Sequence, residues 1–454
     1  MYHFTDVPSV VSGSHIVFFD PRHKYLPRIR SRNGDFITQG GQRCDFTKLK
    51  VEHVADQFAP YQGLFGFDMK KPFPGTIIRI PIRASGSQTP GSQEGAFGRN
   101  WSPEGIKSMF RSWTESVQCA LLFLKTMERV ELKAISKGSL LMRYTATKKL
   151  GSEWPQLDSE LGDQGLNDTS SWTSIVNIRT EEIVRNSQNS EPTPVVQSMR
   201  WLVHTEDGFP SETLREIKEL ASKYYFNAHR GVAIPLDYHN NNGAPFSGRR
   251  FTHLPTHVLT GLPFHIHGVF ALTSNRQGLA GVPDRTDPKG KWNRFVMGEI
   301  LPRTATVAFG KLLKWMFREE AQNGPKSTEI EQIMDQYFKF WPASTKSDIQ
   351  NGITLFIRRF LRATYEQAVF PCYFPSEEPP VQFSKGKEVI FTGSHLKNAP
   401  GGLERTIRDR LRTMREKVCD CSNQIQGRIK SDWESKEEAS PPLTYRDINP
   451  DLIR

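Results

Sequence analysis

The sequence predicts an α+β protein, and three features carry that prediction. Short runs rich in Ile, Val and Phe, closed by turns or prolines, read as strands, with 15–20 and 76–83 the first two. A long amphipathic helix follows a capping signal at Ser102. From Trp292 onward the apolar spacing turns helical. The 454 residues leave room for two or three domains with buried cores.

Residues 84–100 are rich in Gly, Ser, Gln and Pro without periodicity, which marks a loop or linker. Ser102 then offers an N-cap, Pro103 the first helical position and Glu104 an acid in the first turn. Ile106, Met109, Phe110, Trp113, Val117, Ala120, Leu121 and Leu124 recur at three- and four-residue steps, predicting one apolar face and a packed structural helix. Two strands of a hairpin are expected over 130–135 and 140–145, a polar loop over 151–171, a strand over 174–179 and another loop over 186–193. A second compact unit follows. Strands are expected at 201–206, 231–237, 249–254 and 264–273, with a helix capped by Ser211 and running to Phe226. Helices are expected over 296–317, 327–340 and 349–368, a short strand over 389–392 and a charged helix over 404–422. The tail after Ser431 is polar and expected to be mobile.

Composition narrows the function classes. No run of about eighteen apolar residues is present, which argues against a membrane-spanning helix. No signal peptide is visible, and five scattered cysteines (Cys44, Cys119, Cys372, Cys419 and Cys421) suit a reducing compartment, so an intracellular, cytoplasmic protein is expected. A net charge of +11 invites a nucleic-acid reading. Its densest basic run, Arg405, Arg408, Arg410, Arg412, Arg415 and Lys417, has no interleaved aromatics and reads as a solvated helix face.

Two blocks of residues carry a family resemblance. The first runs from Tyr2-His3-Phe4-Thr5-Asp6-Val7-Pro8 through 14–21 and Phe65-Gly66-Phe67 to Pro74-Gly75-Thr76-Ile77-Ile78-Arg79. In that order it resembles the closing part of the Hsp90-type ATPase domain, in the version repeated in sacsin-like proteins. The second, 261–279, contains Phe264-His265-Ile266-His267-Gly268 and Ser274-Asn275-Arg276, and Trp292-Asn293 follows it. It resembles the segment after the ATPase domain in the same family.

The resemblance implies the following organisation. Residues 1–83 would be the C-terminal remnant of an Hsp90-type (Bergerat) ATPase sandwich, and 84–101 a linker. Residues 102–290 would form an Hsp90-middle-like α/β sandwich, 291–425 a mostly helical region and 426–454 a polar tail. It also implies an ATP and magnesium pocket in the family, of which Gly75 and Thr76 would supply the adenine end. Arg276 would be the γ-phosphate contact, since a guanidinium suits phosphate. The bland alternative for Arg276 is a local ion pair or a turn cap.

The other pocket groups of the family are expected upstream of Met1: an acid and a magnesium-binding Asn on a helix, an Asp-x-Gly-x-Gly and a glycine-rich lid. Asp163-Gln164-Gly165 follows Thr76 and lacks the second glycine. The expected function is therefore a chaperone-related module in protein quality control, with protein clients or chaperones as partners and no ATP turnover by this chain alone. Two alternatives stay open: an ATPase module completed by upstream sequence, and a basic nucleic-acid-binding protein.

His265 and His267, two apart on a strand, share a face and could begin a zinc site. Pro255 interrupts any helix aligning His253 with His257, no cysteine lies nearby, and Cys419 and Cys421 diverge on a helix, so no metal is assigned.

Overall fold

The computed structural model describes residues 5–30, 33–49, 58–82, 102–136, 139–151, 170–184, 194–237, 246–276, 278–281, 286–321, 327–342, 352–373, 381–391, 418–419 and 423–434. The expected linker, the loop over 186–193, the basic run at 405–417 and Asp163-Gln164-Gly165 lie outside these. The chain divides into two compact units, Met1–Trp113 and Thr114–Arg454.

In the first unit, β1 (Ser9–Gly13) and β2 (His15–Phe19) form a tight hairpin, with Gly13 at a positive φ of 56° where a side chain would be strained. Two short strands, β3 (Ile29–Arg30) and β4 (Phe36–Ile37), pair with each other. β5 (Gly41–Asp45) and β6 (Phe73–Arg79) complete an antiparallel sheet of order β5-β2-β1-β6. Alternation decides its faces. Val11, Ile16 and Ile77 turn inward to Phe46, Phe58, Tyr61, Phe67 and Met69, while Ile78 is 54% exposed. β6 starts three residues before the expected strand and stops at Arg79, short of Pro81, which has no amide hydrogen to give a ladder.

Helix α1 (Pro103–Ala120) begins as predicted, with the Ser102 hydroxyl accepting from the Gly105 amide at 3.0 Å. Its burial differs from expectation. The helix stops at Ala120, Trp113 remains 43% exposed, and burial concentrates at Cys119 to Phe123.

The second unit is built on eight strands: β7 (Arg129–Ser136), β8 (Ser139–Leu150), β9 (Ser170–Val184), β10 (Val195–Asp207), β11 (Arg230–Pro235), β12 (Arg249–Thr252), β13 (Leu254–Leu259) and β14 (His265–Gly268). Their order is β13-β12-β14-β11-β10-β9-β8-β7, antiparallel except for β12 beside β14. Several strand boundaries depart from the sequence reading: β8 runs on to Leu150 and β10 starts at Val195, six residues before the expected strand. β9 begins at Ser170, inside the expected loop. His253, at a φ of 61°, splits the expected strand over 249–254 into β12 and β13. β14 ends at Gly268, where a Cβ would meet Val296 at 2.9 Å.

α2 (Arg215–Tyr224) joins β10 to β11 and is uncapped at Leu214; the Ser211 hydroxyl is spent on Glu212 instead. α3 (Pro288–Phe295) is capped by Asp287 and passes through a π-turn at Val296–Ile300 into α4 (Leu301–Ala321). α5 (Ser327–Lys339) and α6 (Ile353–Ala363) follow, α6 ending five residues before the expected boundary. The residues beyond it form a hairpin of β15 (Ala368–Tyr373) and β16 (Val381–Lys385). β17 (Ile390–Phe391) pairs in parallel with β18 (Val418–Cys419), so Val418 and Cys419 are strand and not helix. The expected polar tail also contains α7 (Asn423–Glu434). Trp433 there is fully buried and donates to the Leu361 carbonyl at 2.7 Å.

Period-two alternation gives the large sheet two apolar faces. Leu202, Val232, Ile234 and Ile266 face α4 and α6, where Phe309 packs edge-on against Phe264 and Phe360. Tyr144, Ala146, Val176, Ile178, Trp201 and Val203 face the other way, onto Leu121, Leu122 and Phe123.

Candidate functional site

Gly75 and Thr76 lie on β6. The ladder to β1 pairs Ser12 with Thr76 and Gly13 with Phe73, so Pro74 and Gly75 form a bulge. A Cβ on Gly75 would sit 3.1 Å from the Phe73 ring, so the position favours glycine. Thr76 alternates with buried Ile77 and is therefore exposed, its hydroxyl 3.2 Å from that of Ser12. That contact leaves Thr76 spare capacity to donate or accept.

Arg276 belongs to the second unit and sits in a loop closed by the bridge between Leu272 and Leu279. Its backbone N donates to the Thr273 carbonyl at 2.8 Å and its φ is 58°, an uncommon conformation for a residue with a side chain. Arg276 therefore closes a turn, while its guanidinium makes no ion pair among the described residues. Thr273 organises the same turn, donating to Asn275 Oδ1 at 2.7 Å and accepting from the Gly278 amide at 3.1 Å.

Asn293 explains how that loop is held. Its Oδ1 accepts from the Ala271 amide at 2.9 Å, and its Nδ2 donates to the carbonyls of Ala271 and Ala280 at 2.8 and 2.9 Å. One buried amide thus clamps both arms of the Arg276 loop. Trp292 beside it donates to the Val269 carbonyl at 2.7 Å. The Trp-Asn pair was visible in the sequence, but its clamping role needs the tertiary approach of α3.

His265 and His267 share a sheet face as the alternation predicts, and both are buried. His265 stacks on Trp201 with ring centroids 5.0 Å apart, and its Nδ1 accepts from the Arg249 amide at 2.8 Å. His267 packs against Phe123, His229 and His253. Burial, with Arg249 adding to it for His265 and His229 and His253 for His267, pulls each imidazole down to about 3. Among the described residues no three His, Cys, Asp or Glu side chains are arranged to hold a metal ion.

Sequence reasoning missed an extended buried polar network among the described residues. Lys311 on α4 donates to Thr173 Oγ1 at 2.9 Å, and Thr173 meets His204 Nδ1 at 2.8 Å. His204 Nε2 reaches Glu206 Oε1 at 3.2 Å, and Glu206 Oε2 accepts from Arg230 at 2.6 Å and from Thr304 at 2.7 Å. One tautomer satisfies every link, with His204 accepting at Nδ1 and donating at Nε2. Burial works to raise the Glu206 carboxyl, but the His204 hydrogen bond and the Arg230 charge outweigh it and hold the group at about 2. The network ties β9, β10 and β11 to α4. Its signal, polar residues alternating with apolar ones in β10, was present but not separable from an ordinary half-exposed strand.

No helix among the described residues is long and apolar enough to cross a membrane. Residues 1–146 match the family model described as Sacsin domain. The chain is also 28% identical over 377 residues to Sacsin of Homo sapiens, the match covering 76% of the chain and 8% of that relative. It therefore spans a small fraction of the relative's length. The first match covers the block holding Gly75 and Thr76, the second most of the chain, and together they support a sacsin-like protein.

Proposed function

We propose that this chain is a chaperone-related module of the sacsin type that binds non-native protein without turning over ATP. The observations that support it most are the Sacsin domain match over residues 1–146, which includes Thr76, and the likeness to Sacsin across 76% of the chain. On this reading residues 1–83 correspond to the late strands of an Hsp90-type ATPase fold, and 102–290 to its middle segment. Thr76, exposed on β6 with a hydroxyl that still has bonding capacity, would be the adenine-end group. Arg276, held on a clamped loop, would be the phosphate-facing one.

Within these 454 residues no Asn-bearing helix, Asp-x-Gly-x-Gly or glycine lid precedes Thr76. Phosphoryl transfer relies on placed metal and charge. Client binding, which needs neither, is the activity proposed for this stretch. A second reading rests on the small share of the relative that the chain spans: preceding sequence would complete the pocket and make the module an ATPase.

Aggregation of a heat-denatured model client, followed by light scattering, tests the proposal. Suppression by the purified chain that is the same with and without magnesium and ATP supports it. No suppression at a several-fold excess of the chain contradicts it.

A further inference from the structure

A pocket of about 430 Å³ opens on the sheet face opposite α4, within the size range of small-molecule sites. The register explains its floor. β8 contributes Lys148 and Leu150, β9 contributes Trp172, and β10 contributes Thr205 and Asp207, all on one face. Leu122, Phe123 and Leu124 roof it, and His229 closes one end.

Its walls are mostly apolar, and its charges do not cancel. Asp207 lies 3.7 Å from the Lys125 ammonium and 3.7 Å from His229 Nδ1, so its charge is met at the rim. Burial disfavours the charged form of His229, against the pull of Asp207. Lys148 is different. It is 8% exposed, donates to the Leu124 carbonyl, and has no carboxylate within ion-pair distance among the described residues. An ammonium carries three donors, and Glu128, whose charge favours the ionised form, stands beyond ion-pair distance, so burial outweighs it.

We propose that this pocket binds a small anionic amphiphile, its acidic head paired with Lys148 and its apolar body laid against Phe123, Leu150 and Trp172. Leu150 and Trp172 are 58% and 41% exposed, so two large apolar side chains at the pocket would be covered by such a body. An acid without an apolar body would leave those walls wet, and a neutral amphiphile would leave Lys148 unpaired. The class is therefore set by both halves of the site.

Calorimetric titration of the full chain with decanoate, decanol and acetate tests this. Decanoate should bind with one-to-one stoichiometry, about ten-fold more tightly than decanol, the discrimination a charge-assisted contact gives. Acetate should show no saturable binding. Lys148→Met keeps the stem and removes the charge, so it should bring decanoate to the level of decanol. Trp172→Ala, at a partly exposed position, should weaken both and serves as the second variant if Lys148→Met does not fold. Absence of decanoate binding, equal affinity for decanol, or a decanoate affinity unchanged in both variants would overturn the proposal.

Discussion

His204 Nε2 stands 3.2 Å from Glu206 Oε1, two residues away on the same face of β10. Glu206 in turn receives Arg230 from the neighbouring strand, so an imidazole and a guanidinium share one buried carboxylate. The arrangement positions α4 against the sheet, because Thr304 and Lys311 of that helix bond into the same network.

Removing one partner of that group should be expensive. Arg230→Met leaves an uncompensated carboxylate, and a loss of about 3–5 kcal/mol is expected in urea unfolding. The acid dependence has a definite sign. Glu206 is held at about 2 against an ordinary 4.5, so its stabilisation is full above pH 4.5 and fades as pH falls toward 2. The difference corresponds to about 3 kcal/mol, and Glu206→Gln should abolish that part of the acid sensitivity.

The buried histidines give a separate window. His265 and His267 stay neutral down to about 3 in the folded protein, whereas an unfolded imidazole protonates near 6.5. Folding is therefore favoured fully above that value and loses ground as pH drops below it. Each histidine contributes a slope of up to about 1.4 kcal/mol per pH unit. Between pH 6.5 and 4.5 these two histidines together should account for uptake of about two protons on unfolding, His229 adding to it with the same sign, and His265→Phe should remove about one. An unchanged slope would show that His265 does not set it.

Asn293 should matter to the Arg276 loop more than its polarity suggests. Asn293→Leu removes the partner of the Ala271 amide and of the Ala280 carbonyl, at about 1–3 kcal/mol for each group that stays dry, and leaves the Ala271 carbonyl with the Ala280 amide alone. Hydrogen exchange should then rise at Ala271 and Ala280, while the Trp201 strand stays protected. Equal exchange at both places would contradict the clamp.

Much of the fold was legible where a local rule acts alone. Ser102 and Pro103 set the start of α1, and the two-residue spacing of His265 and His267 put them on one face of β14. The errors arose where distant partners decide. Ala368–Tyr373 continues a helical apolar pattern yet pairs with Val381–Lys385, and nothing near it in sequence reveals that partner. Asn423–Glu434 reads as a polar tail, but Gly386 leaves room for Trp433: a Cβ there would sit 2.4 Å from the indole. That Thr76 lies on a strand was readable, whereas the Asn293 clamp and the burial of Lys148 depend on packing.

The most direct test of the account is ATP turnover by the purified chain with magnesium, measured alongside Thr76→Ala and Arg276→Ala. The account predicts release of phosphate no faster than in buffer for all three proteins. Turnover by the unaltered chain that either substitution abolishes would contradict it.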